Sequence, residues 1–310
     1  MNPYSGVGFF EFFGVLFSRI GSFLMGRGEA LVSDEVQLGT LICSAVACGF
    51  IGPFVVLKKV SMFANSLSHT TLLGVVIAFL LVSKWWGSSW ADPSTLLLGA
   101  LLAALATAGL SEVLGRVFRL STDASIGLVF SSLFALGIVL VTLFLRNVHL
   151  GVEAVMGNAD ALQFSDLVLA AILMLFNGVL VLCFYRPLSL LAFDESFART
   201  LGFSMPLWRL FFFFLTSLTC ITAFRSVGVL VVLALLIGPY LTARFISHQL
   251  SKLLFWTPLI GVFCCLIAVA ASRSSLSYFS LPLSTGGILT AVIGLVFGLT
   301  ATVKTLCSRR

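Results

Sequence analysis

Apolar residues run through this chain in long unbroken blocks, and polar residues gather in the short stretches between them. A helix that crosses the hydrocarbon core of a bilayer needs roughly 20 mostly apolar residues, because each residue rises about 1.5 Å through a core about 30 Å thick. Blocks of that length predict spans at Val36–Leu57, Ser61–Val82, Thr95–Leu114, Ala124–Leu145 and Phe164–Tyr185, then Leu207–Phe224, Ser226–Ala243, Leu253–Ala271 and Thr285–Val303. The block from Leu207 is short and stops at Arg225, so it is expected to form a hairpin with its successor. The predicted fold is therefore all-α and polytopic, with about eight or nine transmembrane helices.

Two features modify this picture. Gly49, Gly52 and Pro53 are expected to interrupt the first span, and Gly238 with Pro239 the seventh. Such breaks serve either backbone exposed to a wet path or close packing of helices. Before the first span, residues 1–30 form either an extra crossing or an interfacial helix. Glu11 and Arg19 within their apolar run favour the interfacial form. The run has no basic leader, so it does not read as a cleavable signal peptide. Residues 36–304 then make one transmembrane domain, with a polar connection over 186–206.

Composition agrees with the pattern. The chain is 59% hydrophobic and only 10% charged, against about 25% charged in soluble domains. Its net charge of +6 does not point to nucleic acid, because the basic residues lie singly or in pairs between apolar blocks rather than in one patch. Their placement instead reports topology, since cytoplasmic loops collect Lys and Arg. With the C-terminus in the cytoplasm, the inside loops hold Lys58, Lys59, Arg116, Arg119, Arg186, Arg199, Arg209, Arg244, Lys252, Lys304, Arg309 and Arg310. The outside loops hold Lys84, Arg146, Arg225 and Arg273. The seven cysteines mostly fall inside apolar blocks and read as small buried residues, not as a disulfide framework.

Chemistry concentrates in the second span. Asn65, Ser66, Ser68, His69, Thr70 and Thr71 crowd the half next to Lys58 and Lys59, and His69 is the histidine placed within a span. Asn65 and His69 are four residues apart and so share one helix face. Polar groups inside a membrane mark a site unless they are paired across helices. An imidazole is a common transition-metal ligand. Both readings, metal path and packing, stay open on these residues alone. In the 186–206 connection, Asp194 can cap a short helix, Glu195 suits its first turn, and Gly202 can close it. Glu112 and Asp123, beside Arg116 and Arg119, read as surface ion pairs of little energetic weight. His149, Glu153 and Asp160 lie in the long outside loop, where an incoming cation could meet them.

GFIGPFVVLKKVSMFANSLSHTTLLGV from Gly49 resembles the start of the permeases of metal-type ABC importers, which serve zinc, manganese or chelated iron. The likeness continues through DASIGLVFSSLFALGIVL from Asp123, GNADAL from Gly157, FDESFARTLGF from Phe193 and SVGVLVVLALLIGPYLTAR from Ser226, and so covers about Gly39 to Leu299. The resemblance implies a permease subunit in a bacterial cytoplasmic membrane, working as a pair of copies. It also implies cytoplasmic ATPase chains, an extracytoplasmic metal-binding protein, and a transported divalent ion with no cofactor held by this chain. His69 then inherits a place on the translocation path, with Asn65 where the family usually has aspartate. The amide oxygen still coordinates but brings no charge, so either the position is a passage or a second, different permease supplies the carboxylate. Asp194, Glu195, Phe197, Ala198, Arg199, Leu201 and Gly202 inherit ATPase docking. The alternatives are a siderophore or cobalamin importer and an ion-coupled secondary transporter. The absence of a buried carboxylate in any span weighs against the last. No phosphate-cradling glycine loop is present, and no paired nucleophile and base lie on the spans, so an enzyme is not indicated.

Overall fold

The computed structural model describes residues 3–4, 6, 8–24, 31–86, 93–144, 157–279 and 281–308. Among them every regular element is a helix: α1 (Phe9–Leu24), α2 (Ser33–Leu57), α3 (Ser61–Trp86), α4 (Pro93–Val117), α5 (Thr122–Phe144) and α6 (Phe164–Cys183). These are followed by α7 (Tyr185–Phe193), α8 (Glu195–Thr200), α9 (Met205–Val227), α10 (Val229–Ile246), α11 (Leu250–Phe279) and α12 (Thr285–Ser308). Within the described residues, nine helices (α2–α6 and α9–α12) are long and apolar enough to cross a bilayer. In-line backbone hydrogen bonding explains why a chain this apolar is helical, since hydrocarbon offers its amides no other partner.

Three expectations need correction. The span expected to be short is a full helix of 23 residues, with Arg225 in its last turn. Helices α2 and α10 run unbroken through Pro53 and Pro239, so neither span is interrupted. Gly49 serves contact instead: a Cβ there would lie 2.8 Å from the Cα of Pro258. The 186–206 connection also holds two helices rather than one, because Pro187 in the first turn of α7 suits a helix start.

The chain forms two compact units. The first comprises residues 1–50, 158–175 and 226–310, with α10, α11 and α12 packed on one another. The second comprises residues 51–157 and 176–225 and is built on α3 packed against α4 and α5. In that second unit a Cβ on Gly74 would meet the backbone of Gly99, and a Cβ on Gly99 would lie 2.5 Å from that of Ala78. Small residues at Gly74, Ala78, Gly99 and Ala103 bring the two helices together closely, as membrane helices do where no hydrophobic force drives them.

Candidate functional site

The second unit carries the polar stretch read from the sequence. Helix α2 ends in a Schellman motif, with Lys59 N donating to Val56 O at 3.0 Å and Val60 N to Val55 O at 3.1 Å. Lys59 takes the left-handed backbone this motif needs, with φ 58. Glycine would adopt it without steric cost. Buried Val60 then leads into α3 at Ser61.

On α3 the hydroxyls and the two candidate ligands separate. Ser66 Oγ donates to Phe63 O, Ser68 Oγ to Asn65 O and Thr71 Oγ1 to Ser68 O, so these three groups are satisfied within their own helix. Asn65 and His69 are exposed on the unit's surface. The His69 ring packs on α5, with its centroid 5.8 Å from that of Phe130 and 5.2 Å from that of Phe134. These aromatics flank the imidazole, and the side chain remains exposed. Among the described residues no three His, Cys, Asp or Glu side chains gather as a metal site. Asn65 and His69 thus amount to two donors on a bare helix face.

The second candidate element, α8, is capped at both ends. Asp194 Oδ1 accepts from Ser196 N at 2.8 Å and Phe197 N at 3.0 Å. At the other end Gly202 N donates to Arg199 O and Phe203 N to Ala198 O, a second Schellman motif, with Gly202 at φ 85. The residues expected to dock a partner fall into two groups. Asp194 and Gly202 cap the helix, Ala198 is buried under it, and Glu195 turns to its own unit. Arg199, Phe197 and Leu201 face outward, the last two each 54% exposed, and Phe193 adds to the same apolar surface.

Glu195 is the hub of an ion network missed in the sequence. Lys58 Nζ donates to its Oε1 at 2.5 Å, and Arg209 closes on its Oε2 and on Glu112 Oε1. Arg116 Nε reaches Glu112 at 2.7 Å. Burial raises the Glu195 carboxyl, but hydrogen bonds from Lys58 and Arg209 more than offset it and hold it below its ordinary value. Burial lowers the Lys58 ammonium, and pairing with Glu195 only partly restores it. The network ties α8 to the α2–α3 turn and to α4 and α9. Glu112 is therefore a buttress as well as the partner of exposed Arg116. The signal available in the sequence was only that Lys58, Glu195 and Arg209 all sit beside spans. Their partnership crosses 137 positions for Lys58 and Glu195.

In the first unit Asp160 is already engaged. It accepts from Gln37 Nε2 at 3.1 Å and from Thr285 N at 3.2 Å. His149 and Glu153, its companions in the sequence reading, lie outside the described residues.

Comparison with known proteins adds an independent line. The family model described as ABC 3 transport family matches residues 35–304. The chain is 38% identical over 310 residues to a Chlamydia muridarum protein named "Probable metal transport system membrane protein", covering 100% of this chain and 96% of that protein. It is 34% identical over 238 residues to the manganese transport system membrane protein MntD of Bacillus subtilis, covering 72% of this chain and 78% of that one. Among solved structures it is similar to PsaBC from Streptococcus pneumoniae in complex with Fab. That likeness has a TM-score of 0.70 at 23% identity and covers 91% of this chain and 95% of that one. At such identity it speaks for the fold.

Proposed function

The chain belongs to the ABC 3 transport family and is the multi-pass permease subunit of a metal importer, and we propose that its cargo, a manganese or zinc ion, passes along the face of α3 that carries Asn65 and His69. The single observation that carries this reading is the exposure of those two side chains on a bilayer-crossing helix. Polar groups facing hydrocarbon are unfavourable, so a wet path or a second permease copy covers that face. A second copy brings another amide oxygen and another imidazole, which makes a neutral four-donor passage. Imidazole suits zinc and the amide oxygen suits manganese. Iron, the third metal expected from the sequence, gains no specific support from the relatives above.

The ATPase that drives transport is a separate chain in this reading, and it meets the outward side of α8 at Phe197, Arg199 and Leu201. Extracytoplasmic delivery by a metal-binding protein completes the system. The inside placement of α8, Lys58 and the C-terminus in a cytoplasmic membrane follows from the distribution of Lys and Arg. Movement of α8 reaches the start of α3 through Glu195 and Lys58, within one compact unit. The test is uptake of radioactive manganese and zinc into proteoliposomes holding the complete importer. His69→Ala is expected to reduce uptake at least tenfold with the complex still assembled, and uptake at the unsubstituted rate would remove His69 from the path.

A further inference from the structure

Helix α1 precedes the region matched by the family model, which begins at residue 35, yet it is built into the first unit. Its ties converge on the N-terminal end of α2 and the C-terminal end of α11. Tyr4 Oη donates to Glu35 Oε1 at 3.0 Å, and Arg19 Nε reaches the same oxygen at 2.5 Å. The Tyr4 ring packs on Phe12 with centroids 5.2 Å apart, and Tyr4, Phe12 and Leu16 are buried. Just before the helix, a Cβ on Gly8 would lie 2.7 Å from the hydroxyl of Tyr278.

These contacts set the inclination of α1. Arg273 pairs with Asp34, so the two lie at one depth. Tyr278 is five residues further along α11, which places it about 8 Å beyond that depth. Gly8 therefore lies at the outer end of α11, and Arg19 meets Glu35 at the outer end of α2. The eleven residues from Gly8 to Arg19 span about 16 Å of helix. A crossing helix would carry Arg19 most of that length deeper than Gly8, whereas both residues meet the outer ends of α2 and α11.

We propose that α1 is an interfacial helix lying across the outer ends of α2 and α11, with its free face set in the headgroup–acyl boundary of the outer leaflet. That face holds Phe10, Gly14 and Phe17, at the i, i+4, i+7 spacing of one side of a helix. Phe10 is 85% exposed and Phe17 70%. The occupant is lipid because the face lies level with the ends of spans that lipid surrounds, where aromatic rings are favoured. The opposite side, through Tyr4 and Arg19, clasps Glu35 and so fixes the outer end of the first span to the membrane surface. The leaflet assignment rests on the orientation given under Proposed function.

The experiment uses the full chain in right-side-out vesicles, with the exposed Cys183 and Cys307 replaced by serine. Three variants, each with one introduced cysteine, are compared: Ser18→Cys, Phe17→Cys carrying a fluorophore, and Lys252→Cys as an inside marker. An impermeant maleimide added outside is expected to label Ser18→Cys, and Lys252→Cys only after permeabilisation. A lipid spin label near the headgroup is expected to quench the Phe17→Cys fluorophore several-fold more than one at the chain end. Stronger quenching by the deep label, with Ser18→Cys sealed from both sides, would show a crossing helix and overturn the proposal. A fluorophore indifferent to both labels would mean that water or protein covers the face, which also overturns it. If Lys252→Cys labels from outside and Ser18→Cys only after permeabilisation, the orientation is wrong and the outer-leaflet assignment falls with it.

Discussion

His69 and Asn65 owe their standing to exposure and not to enclosure. A histidine buried among helices would be a packing residue. This one rests its ring on Phe130 and Phe134 and stays exposed on the surface of its own unit. The pair was legible in the sequence because polar residues at a four-residue spacing stand out in an apolar block. Its exposure was not legible, since one helix alone cannot say which neighbours cover it. Asn65→Asp is expected to hold the ion more tightly, so that retention of manganese rises several-fold and turnover falls; an unchanged transport profile would make the position purely structural. Glu195 gives a second prediction at this scale. Its folded-state carboxyl is held below the ordinary value of 4.5. Its contribution to stability is therefore full above that value and is lost as pH falls through the lower, folded-state value. Glu195→Gln leaves Lys58 partly buried without its anion, at a cost of about 1–3 kcal/mol. That loss is expected at neutral pH and shrinks in acid, which denaturation midpoints followed from about pH 7 to about pH 3 would check. In the assembled importer the same substitution is expected to leave more ATP hydrolysed per ion moved, and an unaltered ratio would sever α8 from α3.

Helix boundaries were legible because the bilayer sets their length: the nine expected spans coincide with nine helices among the described residues, within a few residues at most ends. The misreadings share one cause. Pro53 and Pro239 read as breaks and Arg225 as an end, but each judgement used local propensity where packing decided. Gly49 lies against Pro258 and Gly238 against Ile293, contacts between residues far apart in the chain. Helix α7 went unread because nine residues carry too little periodicity to declare themselves. The close packing of α3 on α4 makes a prediction with an internal control. Gly99→Leu drives a side chain into the backbone of Gly74 and is expected to cost about 1–3 kcal/mol or more. Gly109→Ala, on the same helix with open space at the Cβ position, is expected to be neutral or to stabilise by up to about 1 kcal/mol. Equal thermal shifts in detergent for the two would contradict the packing described here.

For the whole molecule, composition alone excludes a soluble protein, and five motif-like stretches carry the likeness to the family. The ordering of the chain into two units was not legible, because α2, α6 and α9 each pass from one unit to the other without any shift in composition. The consequence for the proposed function is that α8, the Lys58 turn and the His69 face belong to one unit, so on the proposed docking and path a push on α8 would reach the His69 face through bonded neighbours. The most direct test reconstitutes this chain with its ATPase and metal-binding protein and measures uptake of radioactive manganese and zinc, with and without ATP. ATP-dependent accumulation of one of these ions, lost when the ATPase is omitted, is the predicted result. Accumulation without any ATPase, or accumulation of a metal chelate with no uptake of the free ions, would contradict the account.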